Sequence, residues 1–153
     1  MIKLLAIVKN ERHTLARTLL SVAPLVDSYL VLDTGSTDGT PDLIREWAAH
    51  FGILGEVRVG PFDDYAQTRN RCWQLAREAD PAEPWHLWID ADDVYRGDVG
   101  MLRAILPTAK YDCLEVRQVW PDGEAMVPRL FRASLAWQYR GRVHERVTVD
   151  ERY

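Results

Sequence analysis

The chain has 153 residues, with 19 Lys and Arg against 23 Asp and Glu and a net charge of −4. That length suits one domain, 1–153, with a single sizeable core, and the acidic balance argues against general affinity for nucleic acid or anionic lipid. Apolar residues make up 47% and charged residues 27%, the profile of an ordinary soluble globular protein. Cys72 and Cys113 are far apart and form no CxxC, so they read as reduced core thiols in a cytoplasmic protein, not as a zinc knuckle or disulfide framework.

The N-terminal run MIKLLAIVKN is too short to span a membrane and lacks a signal-peptide cleavage region. Its apolar stretch from Ile2 to Val8 is instead the pattern of a parallel strand buried on both faces. Leu15, Leu19 and Val22 then follow helical spacing up to Pro24. Tyr29 to Leu32 is a second strand. Thr40 followed by Pro41 predicts a helix start, with the hydroxyl as N-cap and Leu43, Ile44, Trp47 and Ala48 as the apolar face. Glu56 to Val59 reads as a third strand. Asp64 with Gln67 resembles a capping box for a helix running through Ala66, Trp73, Leu75, Ala76 and Ala79. Trp85 to Ile89 is the fourth strand.

Strands alternating with helices of this length predict an α/β domain, with a Rossmann-like, mostly parallel sheet flanked by helices. After residue 110 the pattern changes. Cys113 to Val119, Ala125 to Phe131 and Arg142 to Val149 read as strands joined by turns such as PDG, so the C-terminal portion is expected to be β-rich. In open α/β sheets ligands collect at the carboxyl ends of the strands. Three polar stretches fall at such ends: KNE (9–11), DTGSTDGT (33–40) and DADD (90–93).

The last of these poses a charge problem. The apolar run Leu87, Trp88, Ile89 ends in Asp90, Asp92 and Asp93. In an extended chain Asp90 and Asp92 share a side. Two carboxylates ~5 Å apart repel by about 3 kcal/mol at an effective dielectric near 20, enough to raise one pKa by roughly two. A cation sitting between them would remove that shift.

Other familiar patterns are missing. Counted from Asp33, the sixth and twelfth places hold Asp38 and Ile44, where an EF-hand calcium loop needs Gly and Glu. Neither GxGxxG nor GxxxxGK[ST] occurs. HExxH fails because Thr148 stands four residues after His144.

The runs NERHTLARTLLSV, VLDTGSTDGT, RNRCWQLA and WIDADD resemble the family 2 glycosyltransferases of the GT-A fold, and RLFR…WQYRGRVHE is similar to a subgroup of them. The resemblance implies a nucleotide-diphospho-sugar donor, a UDP-sugar, with a divalent Mn²⁺ or Mg²⁺ bridging the DxD motif to the diphosphate. It also implies transfer to an acceptor hydroxyl with inversion. On this sequence, Val8, Asn10, Glu11 and Asp33 would line the base and ribose pocket, and Arg69 and Asn70 would reach towards the nucleotide. Asp90, with Ala91 beside it, would meet the ribose or metal. Asp92 and His144 would bind the metal, and Glu145 or Asp93 would act as general base. A hard ion suits carboxylate and phosphate oxygens and would supply the missing positive charge. Arg129, Arg132, Arg140 and Arg142 are candidates for the diphosphate through forked hydrogen bonds. Trp120 and Trp137 are candidates for stacking a sugar, against core packing.

Two other readings remain open. IDADDVY also resembles the nucleophile motif of haloacid-dehalogenase phosphatases, with Asp90 as nucleophile and Asp92 as acid/base, although that motif sits on a first strand. Relatives usually run well past the HE segment. A fragment, a minimal enzyme completed by a partner subunit or a homo-oligomer, and a non-catalytic nucleotide-sugar binding module are therefore all compatible with the chain. The acceptor and the particular sugar are not readable.

Overall fold

Ile2–Val8 (β1) is the strand about which the sheet is built. Its hydrophobic run is buried on both faces, with only Ile7 partly exposed. Burying each such aliphatic side chain contributes about 1.5–3 kcal/mol. In this computed structural model, which describes residues 1–79, 84–120 (Trp120 by its backbone alone), 122–141 and 145–149, β1 pairs in parallel with strands on both sides.

Arg12–Val22 (α1) leads to Ser28–Asp33 (β2), then Thr40–Phe51 (α2), Leu54–Val59 (β3), Tyr65–Ala79 (α3) and Trp85–Trp88 (β4). Val94–Tyr95 (β5), Val99–Ile105 (α4) and a 3-10 turn, Leu106–Thr108, follow. Cys113–Trp120 (β6), Gly123–Arg132 (β7), Trp137–Arg140 (β8) and Arg146–Val149 (β9) complete the described elements. The seven-stranded sheet has the order β3-β2-β1-β4-β7-β6-β5, and β8 and β9 form a separate hairpin. Its first four strands are parallel and its last three antiparallel. Within the β-rich back half, β5, β6 and β7 extend the sheet of the Rossmann-like front half, and β8 and β9 stand apart from it.

Two cores cover the two faces. One joins β1, β2 and β4 to α1 and α2, through residues such as Leu4, Val31, Leu15 and Ile44. The other lies under α3, where Cys72, Trp73 and Ala76 meet Leu5, Leu30, Trp88, Phe131 and Tyr139. The Cys72 thiol faces the Ala6 and Leu30 carbonyls, and burial pushes it up to about 12. Both cysteines are free, in keeping with their reading as reduced thiols. Among the described residues no helix is long and apolar enough to cross a membrane.

Local details differ from the sequence expectation in three places. Thr40 is the first residue of α2, and Gly39, at φ 84°, occupies the N-cap place. The Thr40 hydroxyl is spent elsewhere, donating to Asp38 Oδ1 (2.6 Å) and accepting from Glu11 N (2.9 Å). The capping box before α3 is half made. Asp64 accepts from Gln67 N at 2.7 Å, but the Gln67 side chain turns back onto the same carboxylate at 2.6 Å. The described part of the segment expected as one strand from Arg142 to Val149 holds β9, and its partner β8 begins earlier at Trp137. Residues 142–144 lie outside the described residues. β5 and α4 were not among the expected elements: β5 is two residues long, and α4, capped by Asp98, is seven residues long and packs only Val99 and Leu102, partly buried, against the core.

Candidate active site

At the carboxyl ends of β1 and β2 the chain is tied into one loop cluster. The buried Asp33 carboxylate accepts from Gly35 N (3.2 Å), Ser36 N (3.0 Å) and the Ser36 hydroxyl (2.5 Å), folding DTGS back on itself. Asn10 adopts the left-handed region, φ 56°, which Asn tolerates better than most residues. There its Oδ1 accepts from Thr37 N at 2.8 Å and its own N–H donates to Ser36 Oγ at 2.9 Å. The Val8 carbonyl accepts from Thr34 N and Oγ1, and Glu11 joins through Thr40. Val8, Asn10, Glu11 and Asp33 are thus brought together, with Asn10 exposed and Asp33 turned inward.

The acidic stretch is a turn, closed by Asp93 N donating to Asp90 O at 3.1 Å. It is not extended, so Asp90 and Asp92 do not share a side as the alternation predicted. Asp90 pairs instead with Asp93, whose Oδ2 accepts from Asp90 N at 3.0 Å. The cation between these two is Arg129. Its Nη2 lies 2.8 Å from Asp90 Oδ2 and 3.0 Å from Asp93 Oδ2. Arg69 Nη2 reaches the other Asp90 oxygen at 2.8 Å. Burial by itself would raise the Asp90 pKa. Arg129, Arg69 and the hydrogen bonds from Arg69 and Trp88 outweigh it and hold the carboxyl below its ordinary value. With both oxygens bound by guanidinium groups, Asp90 is poorly placed to act as a phosphatase nucleophile.

A β-bulge delivers Arg129. Leu130 pairs with Leu114 but Pro128 pairs with Glu115, so Arg129 is the extra residue of β7. Gln118 Oε1, on β6, accepts from Arg129 Nε at 3.1 Å. Sequence reasoning ranked Arg129 with three other arginines and did not name Gln118. Pro128 inside a strand was the available signal, since Pro in a sheet marks an edge or a bulge. Of the others, Arg132 pairs with Asp112 and stacks on Trp85, away from the acidic turn. Arg140 is exposed, and Arg142 lies outside the described residues.

Arg69 also connects α3 to the β8–β9 hairpin. Its Nη1 is 3.4 Å from Glu145 Oε2, and its guanidinium lies over the rings of Tyr139 (5.0 Å), Tyr65 (5.5 Å) and Trp88 (5.6 Å). Gly141, directly after β8, adopts φ 103°, a conformation that favours glycine. Asn70 does not reach forward. Its amide accepts from Tyr139 N at 2.7 Å and donates to Tyr139 O at 2.9 Å. Trp137 packs on Phe131 and donates to Arg132 O, so it serves the core. The Trp120 side chain and His144 fall outside the described residues.

Ala91 is buried, and its carbonyl accepts from Thr18 Oγ1 at 2.7 Å, which pins the acidic turn to α1. Asp92 is exposed, and its carboxylate makes no hydrogen bond or ion pair to a described residue. Among the described residues no three His, Cys, Asp or Glu side chains converge on one point. Of the two expected metal ligands only Asp92 is described, and a hard divalent ion there would take that carboxylate together with water and substrate phosphate, as Mg²⁺ commonly does.

The parallel sheet with an acidic turn at the carboxyl end of β4, extended by antiparallel strands, is the GT-A architecture. The UDP complex of TarS residues 1–349 from S. aureus superposes with a TM-score of 0.60 at 17% identity, over 74% of this chain and 34% of that one. The profile of glycosyl transferase family 2 matches residues 4–143, and the chain belongs to that family. It is 26% identical over 147 residues to the SPbeta prophage-derived glycosyltransferase SunS of Bacillus subtilis (strain 168), covering 91% of this chain and 33% of SunS. A TPR repeat-containing protein of Synechococcus elongatus is 35% identical over 92 residues, 60% of this chain and 20% of its own length. The chain thus spans about a third or less of these relatives.

Proposed function

We propose that this chain transfers a sugar from a nucleotide-diphosphate donor, a UDP-sugar, to an acceptor hydroxyl with inversion at the anomeric carbon. The observation that carries this reading is the division of labour in the acidic turn. Asp90 and Asp93 are neutralised by arginine, while Asp92 is left exposed beside the strand ends. Asn10, Glu11, Val8 and the loop organised by Asp33 would receive the base and ribose. Asp92 would hold a Mn²⁺ or Mg²⁺ ion, with His144 as a second ligand. When bound, the ion supplies charge stabilisation for the leaving diphosphate. Arg69 and Arg129, paired with Asp90, Asp93 and Glu145, offset the turn's own negative charge, which would otherwise repel the diphosphate. Glu145 is the proposed general base for the acceptor hydroxyl. Asp93 is the weaker candidate, because its carboxylate is 3% exposed and already accepts from Arg129. The free thiols accord with a cytoplasmic setting.

Thermal unfolding with UDP, with Mn²⁺ and then with excess chelator, tests this. Ligand at a hundredfold over its dissociation constant stabilises by about 2.7 kcal/mol, a midpoint shift of roughly 8 °C for a domain of this length. The shift is expected with metal and expected to vanish in Asp92→Asn. A shift without transfer from any UDP-sugar would point to a binding module. No shift with UDP, GDP or dTDP would overturn the proposal.

A further inference from the structure

We propose that β3 is a seam through which two copies of this chain pair, strand against antiparallel strand, about a two-fold axis at Val57. β3 is the terminal strand of the seven-stranded sheet. Gly60 N donates to Asp33 O at 3.0 Å. By strand alternation, residues 54, 56, 58 and 60 then face β2, and the N–H and C=O groups of Gly55, Val57 and Val59 face away from it. Natural sheet edges are commonly blunted by charged side chains, Lys above all, by Pro or by a bulge, and the charges on β3, Glu56 and Arg58, are of opposite sign. Residues 54–60 contain neither Lys nor Pro, and β3 runs in unbroken register with β2. Two large apolar side chains stand in solvent here, Leu54 at 79% and Val59 at 77% exposure.

What selects a second copy as the occupant is the self-complementary order of LGEVRVG. Antiparallel pairing centred on Val57 sets Glu56 opposite Arg58 of the other copy, Val59 opposite Gly55, and Leu54 opposite Gly60. Each exposed apolar side chain faces a glycine, and each charge faces its opposite. Glu56 and Arg58 already share one face, 2.8 Å apart within the strand. Charge also decides the register. Centring the pair on Glu56 or on Arg58 would set like charges directly across, which destabilises a strand pair.

Sedimentation velocity over a concentration series tests the seam. The unaltered chain is expected to dimerise with rising concentration. Glu56→Arg and Arg58→Glu, each confirmed folded by circular dichroism, are expected to weaken the dimer at least tenfold. The double reversal is expected to restore it, since it rebuilds the cross-strand pairs. Hydrogen exchange at the Gly55, Val57 and Val59 amides is expected to slow as dimer forms. A chain monomeric at every concentration, a dimer indifferent to the single reversals, or a double reversal that fails to restore it would each overturn the proposal. The result does not depend on what nucleotide the strand ends bind.

Discussion

Asn70 and Tyr139 are joined by two hydrogen bonds running in opposite directions. The Asn70 amide replaces the neighbouring strand that β8 lacks on that side. A side chain expected at the nucleotide instead fastens the β8–β9 hairpin, and Glu145 between its strands, to α3.

The first prediction concerns that fastening. In Asn70→Ala, amide exchange across β8 and β9 is expected to rise at least tenfold, with Tyr139 most affected. The UDP-induced thermal shift is expected to remain. If instead that shift disappears while hairpin exchange is unchanged, Asn70 serves the nucleotide and the assignment made here is wrong.

Arg129 bridges two carboxylates at once, and its side chain is 12% exposed. Removing one partner of a buried ion pair leaves the other charge uncompensated, commonly at about 3 kcal/mol or more. Arg129→Ala is therefore expected to lower unfolding stability by about that much in urea titrations. Arg129→Lys is expected to recover part of it, because the charge returns but the fork does not. Equal stabilities for all three proteins would contradict the role given to Arg129.

His86 provides a pH test. Its Nε2 has no partner among the described residues, and burial, with Lys3 and Arg77 nearby, lowers its pKa to about 4. The unfolded chain binds this proton near pH 6.5 and the folded chain does not, so stability rises with pH between about 4 and 6.5. Acidification across that window is expected to cost roughly 3 kcal/mol. His86→Phe should flatten the profile there. Asp90 acts in a separate window. Its folded pKa is depressed, so its contribution is full above about 4 and lost as pH falls further.

Thr18 ties α1 to the acidic turn through the Ala91 carbonyl at 2.7 Å and is fully buried. Thr18→Val keeps the shape and removes the donor, leaving that carbonyl short of a partner. A loss of about 1–3 kcal/mol is expected. Weaker UDP-dependent stabilisation should accompany it, because the turn bearing Asp92 loses its anchor. A thermal shift unchanged from the parent would show that the turn holds itself.

Much of this protein was legible in the chain alone. The front strands and helices follow from apolar periodicity, because backbone geometry sets repeats of 2 and 3.6 residues that burial then enforces. The polar stretches after the buried β1 and β2 do gather at the strands' carboxyl ends, where ligands of open α/β sheets collect. The acidic run after β4 signalled a need for positive charge, but not its source. Arg69 and Arg129 lie 21 and 39 residues from Asp90; Arg129 meets it because β7 enters the sheet beside β4 and a bulge aims the side chain, and Arg69 because α3 packs across β1 and β2. The partner of Asn70 was hidden for the same reason: it is the main chain of a residue 69 positions away. Local pattern determines which segments become strands and helices. Which side chains meet depends on the order of strands in the sheet, and that order is settled by the packing of both faces together.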